Sequence, residues 1–141
     1  MESKNIGLSG TGNSPEHQLL IADLVTFLNN RLANNKRYKN IVATPETPYS
    51  GKVPDLLIWN RRKGIDSTSI IIEICWDSEL EKDKAKVLNL ISNNLGIVEA
   101  FVITFDTLQC YKVWRKKDGK VSRFQRRTTI TSLNSDFSKI L

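Results

Sequence analysis

Val53-Pro-Asp-Leu-Leu-Ile-Trp59 and Ser69-Ile-Ile-Ile-Glu-Ile-Cys75 are two runs rich in strand-forming residues. Between them Asn60 to Ser67 is polar, with Gly64 at its centre. Folded as a hairpin symmetric about Gly64, the runs bring Asp55 directly opposite Glu73. Opposed side chains of an antiparallel pair share one face and lie roughly 4.5–5.5 Å apart at Cβ. Two carboxylates so placed repel by about 3 kcal/mol at an effective dielectric near 20. A divalent cation relieves that repulsion, and hard oxygen ligands suit Mg²⁺ or Mn²⁺. A slip of one residue would send one acid to the other face. The bland alternative stays open: Asp55 ends a strand, and Glu73 pairs with a surface lysine.

Upstream, Ser14-Pro15 is a helix start, with Ser as N-cap and Pro at the first helical position. From Glu16 to about Leu32, Leu20, Leu24, Phe27 and Leu28 recur at helical spacing. Glu16 falls on the side of Leu20 and Phe27, towards the sheet edge, although an acid in the first turn also suits the helix dipole. His17, the only histidine, reads as a surface residue. Residues 1–13, rich in Gly, Ser, Thr and Asn, read as a loose N-terminus ahead of one domain over 14–141. Asn34 to Asn40 is a basic link, and Ile41 to Glu46 a strand. Pro45, Pro48 and Gly51 turn the chain into the central hairpin.

Downstream, Ser78-x-x-Glu81 has the form of a capping box opening a helix to about Leu95, with Gly96 as its stop. Its apolar stripe is Leu80, Val87, Leu88, Ile91 and Leu95, and Lys84 falls at the stripe's centre. An inward lysine is costly without a partner, and the nearest anions expected are Asp55 and Glu73. Snorkelling past the helix edge is the alternative for Lys84. Lys82 and Lys86 point away. Val98 to Phe105 is an apolar strand, so strand, helix and strand form a right-handed β-α-β unit with parallel strands. Gln109 to Arg115 and Val121 to Arg127 follow as a hairpin around Lys117-Asp-Gly119. Beyond Thr128 the patterning is weak.

The 141 residues carry a net charge of +6. Lys112, Arg115, Lys116, Lys117, Lys120, Arg123, Arg126 and Arg127 alone outweigh Asp118 by +7, and Arg61, Arg62 and Lys63 form a second cluster. Such clusters usually only solvate a face; beside a metal site, they suit phosphate-backbone attraction. Trp114 and Phe124 in the basic hairpin could stack on bases, but packing is the simpler use. No signal pattern and no apolar run long enough for a membrane helix is visible. Two cysteines and one histidine make neither a disulfide framework nor a four-ligand zinc site, and a reducing cytoplasmic setting is expected.

A helix with an early Glu, a strand, a Pro-Asp strand, a Glu strand, a helix and a strand resemble the PD-(D/E)XK nuclease superfamily. The resemblance covers Ser14 to Arg127 and is anchored by Glu16, Pro54-Asp55 and Glu73-Ile-Cys75. It implies an α/β, restriction-endonuclease-like core: a central mixed sheet, two main helices and a C-terminal basic β-hairpin. The implied activity is Mg²⁺- or Mn²⁺-dependent phosphodiester hydrolysis of DNA, or less readily RNA. Asp55, Glu73 and the backbone carbonyl of Ile74 would hold the metal, with Glu16 ligating directly or through water. The superfamily's lysine position is Cys75 here, and Lys84 is the expected substitute, to orient water or stabilise developing charge. Many relatives act as homodimers. Without a lysine at the site, a nucleic-acid-binding module that does not cut is the first rival, and a protein-interaction component meeting an acidic partner the second. A thiol hydrolase using Cys75 and His17 is a distant alternative.

Overall fold

The computed structural model describes residues 14–141, so the N-terminal stretch 1–13 lies outside the described residues. Helix α1, Pro15–Ala33, starts as the sequence predicts: Pro15 sits in the first turn, and the His17 N–H donates to Ser14 Oγ at 3.1 Å. Strands β1 (Ile41–Pro45), β2 (Leu56–Asn60), β3 (Ile70–Cys75), β4 (Glu99–Thr104), β5 (Gln109–Trp114) and β6 (Gln125–Arg126) form one sheet in chain order. β3 and β4 are parallel, joined by helix α2 (Leu80–Asn93), and every other neighbouring pair is antiparallel.

The central hairpin has the expected register. Leu56, Leu57 and Ile58 pair with Ile72, Ile71 and Ile70, and Gly64 turns the loop with φ +92°. All six β3 residues are buried, because helices cover both faces. On one face Leu56, Ile58, Ile70, Ile72 and Ile74 pack with Leu20, Leu24 and Leu28 of α1. On the other, Leu57, Ile71, Val102 and Val113 pack with Val87, Leu90 and Ile91 of α2. Alternation therefore assigns Glu73 to the α2 side.

α2 departs from its expected ends. A 3₁₀ turn at Asp77–Glu79 precedes it, and the N-cap position falls to Glu79 without a side-chain bond, so the Ser78 capping box does not form. The helix stops at Asn93, before Leu95, which is 78% exposed. Asn94 leaves helical geometry and its Nδ2 donates back to Leu90 O at 2.8 Å. The Arg115 guanidinium donates to the carbonyls of Ile91, Asn94 and Ile97, capping the helix end.

The C-terminal hairpin exists, with a shorter second arm than expected. Arg115 bridges Val121, whereas Lys112 pairs with Gln125, so the returning arm holds one extra residue, a bulge. After it come β7 (Thr129–Ile130) and β8 (Ser135–Asp136), a small second sheet. This segment is clipped to the main sheet by a buried pair. Lys112 Nζ lies 2.7 Å from Glu99 Oε2 and donates to Thr129 O and Thr131 Oγ1. Glu99 accepts from the N–H groups of Thr131 and Ser132 and from the Ser132 hydroxyl.

Burial works against the Glu99 carboxylate, but Lys112 and Ser132 outweigh it and hold its pKa below the ordinary value. Its stabilising contribution is therefore present above the ordinary glutamate range and is lost as pH falls through the lowered folded value. Lys112→Met is expected to cost about 3 kcal/mol or more, by stranding Glu99. Thermal melts between pH 3 and pH 7 check this: the acid-side slope should flatten in the Lys112→Met, Glu99→Leu double variant.

Candidate active site at the end of the parallel pair

Pro54 shapes the site. Continuing the β2–β3 register pairs Ile74 with residue 54, whose proline has no N–H to give and lies outside β2. Both backbone groups of Ile74 are satisfied by side chains instead. Its N–H donates to Asp55 Oδ2 at 2.7 Å, and its carbonyl accepts from His17 Nε2 at 2.8 Å. His17 Nε2 is also 3.6 Å from Asp55 Oδ2. Asp55 thus ends the sheet and faces Glu73, whose buried carboxyl feels its charge.

Glu73 is 2% exposed. Burial first, then repulsion from Asp55, push its pKa up to about 8 against the opposing pull of Lys86. Lys86 Nζ stands 3.1 Å from Glu73 Oε2, an ion pair that reaches an almost wholly buried carboxylate. Burial opposes the Lys86 ammonium, while Glu73, Asp83 and Asp55 outweigh it and raise its pKa. Burial likewise opposes charge on His17, and Asp55, the Ile74 carbonyl and Glu46 together raise its pKa. Cys75 is buried beside Asp83, and desolvation and that acid hold its thiol neutral. A thiolate nucleophile is thereby disfavoured.

These groups line a cleft of about 460 Å³ that also takes in Glu46, Val53, Trp76, Glu79, Lys82 and Phe105. Among the described residues no three His, Cys, Asp or Glu side chains converge as a ready-made metal cluster. The donor chemistry nevertheless fits a hard divalent ion: two facing carboxylates, one of them almost wholly buried.

The structure corrects several expectations. Lys84 does turn inward, but towards β5: its Nζ lies 4.5 Å from the Tyr111 ring centroid, 5.3 Å from that of Phe124 and 3.6 Å from Glu81. Lys86, expected to point away, is the lysine at the acids. The stripe explains this. Leu90 is buried while Leu88 and Leu95 are exposed, so the buried face is rotated towards the flank bearing Asp83 and Lys86. Glu16 is exposed and does not line the cleft, whereas its neighbour His17 does. The signal was present: His17 precedes Leu20, Ile21 and Leu24 by three, four and seven residues. The Ile74 carbonyl, expected to ligate metal, already accepts from His17.

The basic residues do not flank the acids. The β2–β3 loop with Arg61, Arg62 and Lys63 and the β5–β6 turn with Lys116, Lys117 and Lys120 leave the sheet at the starts of β3 and β4. Asp55 and Glu73 lie at the other end of β3, a strand about 20 Å long. Lys36, Arg37 and Lys39 of the α1–β1 link join the basic end, where the Arg61 N–H bonds to Asn40 O. All nine of these side chains are exposed, as are Arg123, Arg126 and Arg127 of the returning arm. Lys112 and Arg115 are not available to a nucleic acid, being committed to Glu99 and to the end of α2.

The fold is the expected α/β architecture: two main helices on a six-stranded mixed sheet, with a C-terminal hairpin. Among solved structures it is similar to "a putative nuclease belonging to DUF820 from Anabaena variabilis ATCC 29413", with a TM-score of 0.63 and 13% sequence identity over 92% of this chain and 84% of that one. No protein-family model and no curated protein matches the chain. At that identity, the likeness establishes the fold alone. Among the described residues no helix is long and apolar enough to cross a membrane.

Proposed function

We propose that the chain is a metal-dependent nuclease hydrolysing phosphodiester bonds, with DNA the preferred nucleic acid over RNA. The observation that carries this reading is the pair Asp55 and Glu73, facing each other at the end of β3 with Lys86 against the buried carboxylate. Asp55 and Glu73 would hold Mg²⁺ or Mn²⁺, which when bound polarises a phosphoryl oxygen and makes water a better nucleophile. Lys86 takes the role expected of Lys84, with its ammonium placed for a developing negative charge. His17 holds the Ile74 carbonyl and so fixes the backbone between the acids. The exposed cations at the far end of the sheet, with Arg123, Arg126 and Arg127, supply sequence-independent attraction for phosphates. The setting is cytoplasmic, and a homodimer would allow both strands to be cut.

A second reading, a nucleic-acid-binding module without hydrolysis, is favoured by one observation: the Ile74 carbonyl and Asp55 Oδ2 already have partners within the chain. Supercoiled plasmid incubated with the purified chain separates the two. Nicking in Mg²⁺ or Mn²⁺, abolished by chelator, supports hydrolysis. Salt-sensitive retention of DNA with no nicking under any metal supports the module.

A further inference from the structure

Trp76 follows Glu73 by three residues, at the lip of the cleft that holds both acids. Its side chain is 44% exposed, although indoles of this size are mostly covered in folded proteins. It is also held in place: the ring lies 4.4 Å from the Phe105 ring at a 54° tilt, and Phe105 meets His17 edge-on at 5.6 Å. Val53, 53% exposed, adds a second apolar wall, and Lys82 and Lys86 stand in the same cleft among five acids, Glu46, Asp55, Glu73, Glu79 and Asp83. A cleft of about 460 Å³ is the size of a small-molecule site, enough to take one nucleotide.

We propose that Trp76 is the stacking platform for an unpaired base beside the scissile phosphate, which makes single-stranded or locally unpaired nucleic acid the preferred substrate. The proposal rests on the nuclease reading for the neighbouring phosphate; its own ground is an anchored, half-exposed indole in the acid cleft. An aromatic face accepts any base, so the platform selects strand state rather than sequence. A merely structural indole, by contrast, would cover Phe105 and contribute nothing to binding.

The test uses a labelled 20-nucleotide single strand and the same strand annealed to its complement, with the full chain. Binding is measured in chelator at low salt by intrinsic tryptophan fluorescence, and cleavage in Mg²⁺. Single strand should quench the fluorescence, with much of that quench lost in Trp76→Phe. Affinity for single strand should fall about 5- to 100-fold in Trp76→Ala and by less than threefold in Trp76→Phe. Duplex affinity should stay nearly constant, and in cleavage the loss should appear in KM more than in kcat. Should Trp76→Ala fail to fold, Trp76→Leu against Trp76→Phe asks the same question, since leucine keeps bulk without a π-face. Equal single-strand affinity in all variants, no binding of single strand, or preference for duplex overturns the proposal. Cleavage that is indifferent to Trp76 sinks the platform and leaves the nuclease standing. Trp76-dependent binding without cleavage sinks the nuclease and leaves the platform.

Discussion

Glu73→Gln and Asp55→Asn should each lose metal-dependent cleavage by a factor of roughly a thousand or more, because each removes one of two anions facing the same ion. The amides are the informative replacements. The side-chain amide introduced by Asp55→Asn can still accept the Ile74 N–H through its oxygen, so the end of β3 stays closed. Asp55→Ala would leave that N–H without its acceptor and confuse folding with chemistry. Glu73→Gln carries a second, opposite expectation. Burial and the Asp55 charge raise the Glu73 pKa to about 8, so its protonated form suits the fold. That stability is present below the ordinary glutamate range and is lost as pH rises through about 8. Without metal at about pH 8, Glu73→Gln should therefore melt several degrees above the parent chain while being inactive. Mg²⁺ should raise the melting point of the parent and leave that of the variant unchanged. A variant that cuts plasmid at the parental rate would remove the acid pair from the chemistry.

Lys86→Met should lower kcat by about a hundred- to a thousandfold, the cost of removing one preorganised charge from a reacting centre. Lys84→Met should leave turnover within a factor of about two. Lys86 Nζ is 3.1 Å from Glu73 Oε2, while Lys84 stands over Tyr111 and Phe124, two strands away. Initial rates on plasmid for both variants, with circular dichroism as the control for folding, decide between them. The reverse result would restore Lys84 to the chemistry.

Much of the fold could be read from local pattern. The expected register holds over Leu56–Ile58 and brings Asp55 to Glu73, although the loop is not symmetric about Gly64, which bridges Asn60 ahead of a 3₁₀ turn. The Ser14-Pro15 start and the β-α-β order follow from capping and periodicity. What escaped was set by packing between distant segments. The face of α2 that is buried depends on where β3 and β4 lie beneath it, and a stripe drawn through Leu88 and Leu95 was rotated enough to exchange Lys84 for Lys86. A lone histidine in a first turn reads as solvated, yet His17 shares a buried face with Ile21 and Leu24. Counting charge in the basic hairpin could not reveal that Lys112 and Arg115 are consumed inside the fold, because their partners lie in Glu99, the weakly patterned C-terminus and the end of α2.

The separation of positive loops and acidic cleft at opposite ends of the sheet gives the molecule a permanent electric dipole along its strands. On the proposed nuclease reading, such a body would reach a polyanion oriented, cationic end foremost, with its acidic cleft trailing. Capture and reaction are then distinct stages under different control: added salt should slow the encounter steeply while the rate of the bound complex stays nearly constant.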